Sequence, residues 1–123
     1  MTFFRPSPLY TSEELTLPTK KDVDHYIIHD YAFYNNNRII SVVVPEGVEA
    51  ISAYAFGLCS FLSSITIPSS ITEIKDQAFA NCSRLEDIYF NGSMAEWEAI
   101  NKSHKWISNA YSYTIHCSDG DIK

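Results

Sequence analysis

Ala32-Phe33, Ala55-Phe56 and Ala78-Phe79 recur at a constant 23-residue step, and that spacing constrains the fold more than any other feature. Other columns keep the same step. Asn36, Cys59 and Cys82 coincide, as do Ile39, Leu62 and Leu85; Val42, Ile65 and Ile88; Val44, Ile67 and Phe90. Val48, Ile71 and Met94 follow, then Ile51, Ile74 and Trp97. Pro45 and Pro68 align with Asn91. Self-similarity at such a period is the mark of stacked units.

Within a copy the spacing has a physical reading. In Leu62–Pro68, Ile65 and Ile67 lie two apart, on one side of an extended segment that suits β-branched residues. Proline ends the strand because it lacks the N–H that a ladder needs. Ser-Ser or Glu-Gly then turns the chain. The pair Ile71 and Ile74 points inward again, and "AFANCS" is expected to return through a helical turn. One such coil cannot bury its apolar side; stacked coils can, with their strands in a parallel sheet about 4.8 Å apart. Cys59 and Cys82 then stack in the core as small hydrophobes, a structural rather than a redox or metal role.

The pattern A-F-x-x-C-x-x-L-x-x-I-x-I-P-x-x-I-x-x-I resembles the BspA-like leucine-rich repeat of bacterial and some protist surface proteins, over residues 31–123. The resemblance implies an α/β solenoid: a leucine-rich-repeat right-handed superhelix with a short parallel β-sheet, turn-rich or short-helical returns and a C-terminal helical cap. A chain of 123 residues is expected to be a single domain, 1–123, with repeats at 31–53, 54–76 and 77–99 and a C-terminal cap over 93–123. Two departures stand out. Asn36 occupies the first cysteine position. Residues 1–30 read as an irregular, degenerate or insertion-bearing coil that acts as the N-terminal cap: "LTLP" at 15–18 looks like a strand end, but the stretch before "YAF" is about four residues too long.

The C-terminal part reads as a lid. Ser93 and Glu96 have capping-box spacing, and Met94, Trp97 and Ile100 share one face of the helix that follows. That helix is expected to lay Trp97, and Trp106 with it, over the last core layer. Tyr113, Ile115 and Cys117 alternate as one further strand.

Candidate chemistry is thin, and no catalytic residue, metal site or cofactor is expected. His25 and His29 have helical metal spacing beside Asp30, but "HYIIHD" is rich in β-branched residues and lacks a zincin glutamate. Asp119-Gly-Asp121 is too short for a calcium loop and reads as a turn. His116 and Cys117 are strand neighbours pointing to opposite faces, which precludes an ion pair. No P-loop, nucleophile elbow or dinucleotide fingerprint is present. The sequons at Asn81, Asn91 and Asn101 matter only in a secreted eukaryotic chain, and Asn81 sits poorly for it beside a buried cysteine.

Nine Lys+Arg against fifteen Asp+Glu give a net charge of −6, with no cationic stripe, so nucleic acid is not an expected partner. Three cysteines without a CxxC pair argue against a disulfide framework or zinc. No run is long enough to span a membrane, and "MTFFRPSPLYTSEE" has no signal-peptide core. The chain is expected to be cytosolic or part of a secreted protein, and monomeric. The family resemblance favours the cell surface or secretion.

Function then rests on a surface. The strand residues between the buried ones are Ser41 and Val43, Ser64 and Thr66, Asp87 and Tyr89; Thr114 and His116 extend the row if the last strand joins. This strip is the candidate binding site. The expectation is a non-catalytic interaction or adhesion module that binds host protein or glycan through its strand face. The alternative is a structural end-cap of a longer solenoid with no ligand of its own.

Overall fold

In the computed structural model, which describes residues 14–16, 26–110 and 112–123, the 23-residue period becomes about four turns of a β-solenoid. In chain order the strands are β1 (Glu14–Thr16), β2 (Tyr26–Ile28), β3 (Ser41–Val43), β4 (Val48–Ile51), β5 (Ser64–Ile67), β6 (Glu73–Ile74), β7 (Phe79–Ala80) and β8 (Asp87–Phe90). Helix α1 (Met94–Ala99) precedes β9 (Asn101–Lys102), β10 (Ile107–Ser108), β11 (Thr114–Cys117) and β12 (Gly120–Ile122).

One side of the solenoid is the sheet β1-β3-β5-β8-β11-β12. Its first five strands run parallel, and β12 turns back antiparallel. The register sets like on like: Val42 pairs with Ile65, Ile65 with Ile88, Ile88 with Ile115, and Ile115 with Ile122. Val42, Ile65, Ile88 and Ile115 are all buried, so the alternating pattern read from the sequence holds.

The returns differ from expectation. In place of turns or short helices alone, they carry a second parallel sheet, β2-β4-β6-β9. Val48, Ile51 and Ile74 belong to it, and their burial is that of a strand's inner face. Among the described residues the third side has no regular helix. Tyr31, Phe33 and Asn35 donate their N–H groups to Ala53, Ala55 and Gly57 of the next coil, and Phe56 and Leu58 do the same to Ala78 and Ala80. The N–H groups between them bond within the coil, Ala32 to His29 and Tyr34 to Tyr31. This alternation satisfies the backbone with the help of left-handed residues at every fourth position. Tyr31, Tyr54 and Gln77 form one such row, and Asn35, Leu58 and Asn81 the other, all at φ between 55° and 59° and both rows on the repeat's own step.

The core is built from stacked copies. Phe33 lies on Phe56 and Phe56 on Phe79, with centroids 5.1 and 5.3 Å apart and rings within 5° of parallel. The Cys59 and Cys82 thiols are buried and free, donating to the carbonyls of Phe33 and Phe56 at 3.2 and 2.9 Å. Asn36, at the same position, instead accepts from the N–H groups of Arg38 and Ile39 through Oδ1.

The predicted lid is corrected. The capping box exists: Ser93 Oγ accepts from Glu96 N–H at 3.1 Å, and Glu96 Oε1 accepts from Ser93 N–H at 2.8 Å. Yet the helix is only six residues long and does not end the array. A further coil follows it. β9 pairs with β6 as Ile74↔Lys102, and β10 with β7 as Phe79↔Ile107, and both pairings overshoot the regular step by five. The helix thus accommodates a five-residue insertion within a return, and the solenoid runs on to β11. Trp97 is buried as expected, but it meets Trp106 edge-on at 5.7 Å from within the stack. Trp106 takes the place of Ala78 in the next coil, receiving the N–H of Phe79 at its carbonyl. Lys102 replaces the inward isoleucine, and its ammonium donates to the carbonyls of Trp97 and Ile100 at 2.7 and 3.3 Å, satisfying the end of α1. Burial holds its pKa below the ordinary lysine value.

At the other end, Ile28 pairs with Ile51 on the regular step, whereas β1 pairs with β3 as Glu14↔Ser41, four positions beyond it. Among the described residues no helix is long and apolar enough to cross a membrane.

Candidate functional site

The sheet's parallel register lines its outward residues into two rows. Ser41, Ser64, Asp87 and Thr114 pair in succession along one row; Val43, Thr66, Tyr89 and His116 along the other. All eight positions named from the sequence are therefore brought onto one surface. Most are half-buried against their neighbours, and Tyr89 is 43% exposed. The strip begins neutral, with a valine and hydroxyls, and ends in an aromatic and ionisable groups.

That last part is built from three strands. His116 Nε2 lies 2.8 Å from Asp87 Oδ1 on β8, and Nδ1 lies 3.2 Å from Asp121 Oδ1 on β12. The Tyr89 ring stacks on the imidazole at 4.7 Å and 18°. The hydrogen bond to Asp87 raises the His116 pKa above its ordinary value; burial opposes this, and Asp121 adds to it. The side chains of His116 and Cys117 do diverge as expected, but His116 finds carboxylates on the neighbouring strands. Beside this cluster is an open depression of about 370 Å³ lined by Ser83, Leu85, Glu86, Asp87, Ser112 and Thr114. A second, of about 490 Å³, runs along Tyr113, Ile115 and Ile122.

Asp121 was not visible as a partner of His116, because β12 returns through the tight turn Ser118-Asp119 and so breaks the repeat's step. Asp119, expected in a turn, is there, and its carboxylate accepts from the N–H of Met94 at 2.8 Å, at the start of α1. A tyrosine cluster on the third side was also missed. Tyr31 and Tyr54 stack at 5.0 Å, with Tyr34 edge-on to both. Gly57 leaves room for it, since a Cβ there would stand 3.0 Å from the Tyr34 ring. The regular spacing of Tyr31 and Tyr54 was the available signal. Of the metal candidates, His25 lies outside the described residues. Among the described residues no three His, Cys, Asp or Glu side chains converge as a metal site would require.

The sequence matches the BspA type leucine rich repeat region over residues 13–115, in six copies. Among solved structures, a leucine-rich repeat protein from Bacteroides capillosus superposes with a TM-score of 0.69 at 23% identity, over 89% of this chain and 80% of that one. The T. pallidum leucine rich repeat protein TpLRR gives 0.60 at 25% identity, over 71% of this chain and 44% of its own. The pneumococcal vaccine antigen PcpA gives 0.57 at 15%, over 88% and 31%. This chain therefore spans less than half the length of two of the three. No curated protein matches it.

Proposed function

The chain belongs to the BspA-type leucine-rich repeat family, and we propose that it is a non-catalytic binding module at a cell surface or in a secreted protein, engaging a protein or glycan partner through the outer face of its six-stranded sheet. The observation that carries this reading is Tyr89. Its ring is 43% exposed in the middle of a rigid, in-register strip, where the core has no use for it. Large aromatics on pre-organised surfaces are the anchors on which interfaces concentrate their energy. The stacked sheet holds the flanking hydroxyls of Ser64, Thr66 and Thr114 without further ordering cost. The surface setting comes from the family.

The test is capture by a panel of immobilised extracellular-matrix proteins and a glycan array. Tyr89→Ala is expected to weaken capture at least tenfold while leaving the melting temperature within about 2 °C, since an exposed ring contributes little to the core. Capture that survives Tyr89→Ala combined with Thr66→Arg would overturn the choice of face. Asp87→Ala is a poorer probe, because Asp87 holds His116 by a 2.8 Å hydrogen bond, whereas Tyr89 only stacks on the imidazole.

The antiparallel turn-back of β12 favours a second reading, in which this segment serves to terminate an array and has no ligand of its own. On that reading Tyr89→Ala changes nothing measurable, and no member of either panel binds.

A further inference from the structure

We propose that His116 is held as the imidazolium and acts as a proton-dependent clamp, tying the terminal strand β12 through β11 to β8. The argument is one of donors and acceptors. Both ring nitrogens face carboxylate oxygens, Nε2 at 2.8 Å from Asp87 and Nδ1 at 3.2 Å from Asp121. A neutral imidazole has one N–H, so its other nitrogen would turn a lone pair toward an ionised oxygen. Only the cation donates to both.

The groups that face the ring are Asp87 and Tyr89 from β8 and Asp121 from β12. The tyrosine ring stacked on it at 4.7 Å also suits a cation. The clamp sits at one edge of the sheet. β12 has three residues and one neighbouring strand, and so short an edge strand is marginal by itself. Losing the proton takes away one bridge and leaves the cluster with one more negative charge. Freed β12 would uncover Ile115 and the edge of β11, and would change the charge at the end of the outward face.

The sign follows from the raised folded-state pKa. The stabilisation is complete below the ordinary histidine value of about 6.5 and is lost as pH rises through the higher folded value. It amounts to a factor of about ten for each unit by which the folded value exceeds the free one.

The test is an NMR titration of the histidine ring signals, with His116→Gln to assign the resonance. It is paired with amide exchange of β12 at about pH 5.5 and about pH 8.5, expressed as protection factors so that intrinsic pH dependence divides out. His116 is expected to titrate above the ordinary value, and β12 protection to fall across the same range. Asp121→Asn supplies an amide donor to a neutral imidazole, so in that variant the pH dependence of β12 protection should vanish. Titration at or below about 6.5 would overturn the proposal, as would β12 protection that is the same at both pH values in the unaltered chain. So would a pH dependence unchanged in Asp121→Asn.

Discussion

Leu58 shows how a repeat can force a residue into a conformation it does not favour. The third side needs a left-handed residue at positions 35, 58 and 81; Asn35 and Asn81 tolerate it, while Leu58 adopts φ 57° at a cost of about 1 kcal/mol. Leu58 is only half-buried, so Leu58→Asn gives up little packing. That variant should be more stable by about 0.5 kcal/mol, read as a rise of about 2 °C in thermal unfolding. The buried cysteines make the opposite case, of residues well suited to their place. Burial pushes the Cys82 thiol up to about 12 and Cys59 higher still. A thiol reagent at about pH 8 should therefore label Cys117 first, leaving Cys59 and Cys82 until the chain unfolds. Simultaneous labelling of all three in the folded chain would mean the core is open. The cysteine ladder was legible in the sequence because the repeat's own column contains it. The left-handed rows were not, because Tyr31, Leu58 and Gln77 carry none of the glycine signal that usually marks such positions.

Helix α1 was legible as an element and misleading as a boundary. Ser93 and Glu96 announce it, and both halves of the capping box form. Its place in the fold was hidden by Trp97, which falls on the isoleucine column and looks like a replacement for Ile74. The true successor of Ile74 is Lys102, five residues later than the period predicts, and a lysine in a core row carries no apolar signal. The same shift hid that Trp106 and Ile107 succeed Ala78 and Phe79. The second sheet was missed because its strands are so short, Glu73–Ile74 and Asn101–Lys102 among them, that alternation does not register. Removing the cap should cost the helix alone. Ser93→Ala is expected to lower stability by about 1 kcal/mol in chemical denaturation while β8 and β11 stay paired. Loss of the whole sheet on that substitution would show α1 to be a keystone and not an insertion.

Across the molecule, the stacking that builds the core also decides what is presented outward. Three sides face solvent: the six-stranded sheet with Tyr89 and His116, a second sheet, and a ladder bearing the tyrosine cluster of Tyr31, Tyr34 and Tyr54. The first and third both expose aromatics, with Tyr31 51% and Tyr89 43% exposed, so exposure by itself does not choose between them. The tyrosines of the third side are engaged with one another and with Gln77, whose amide donates to Tyr54 Oη at 2.6 Å. The first side combines its aromatic with a row of hydroxyls, an ionisable cluster and an adjoining depression of about 370 Å³. The direct comparison is capture of the same matrix-protein and glycan panel by two variants, Thr66→Arg on the six-stranded sheet and Tyr31→Ala on the ladder side. Loss of capture with Thr66→Arg and its retention with Tyr31→Ala is the predicted result. The reverse pattern would place recognition on the wrong side of the solenoid and contradict the account.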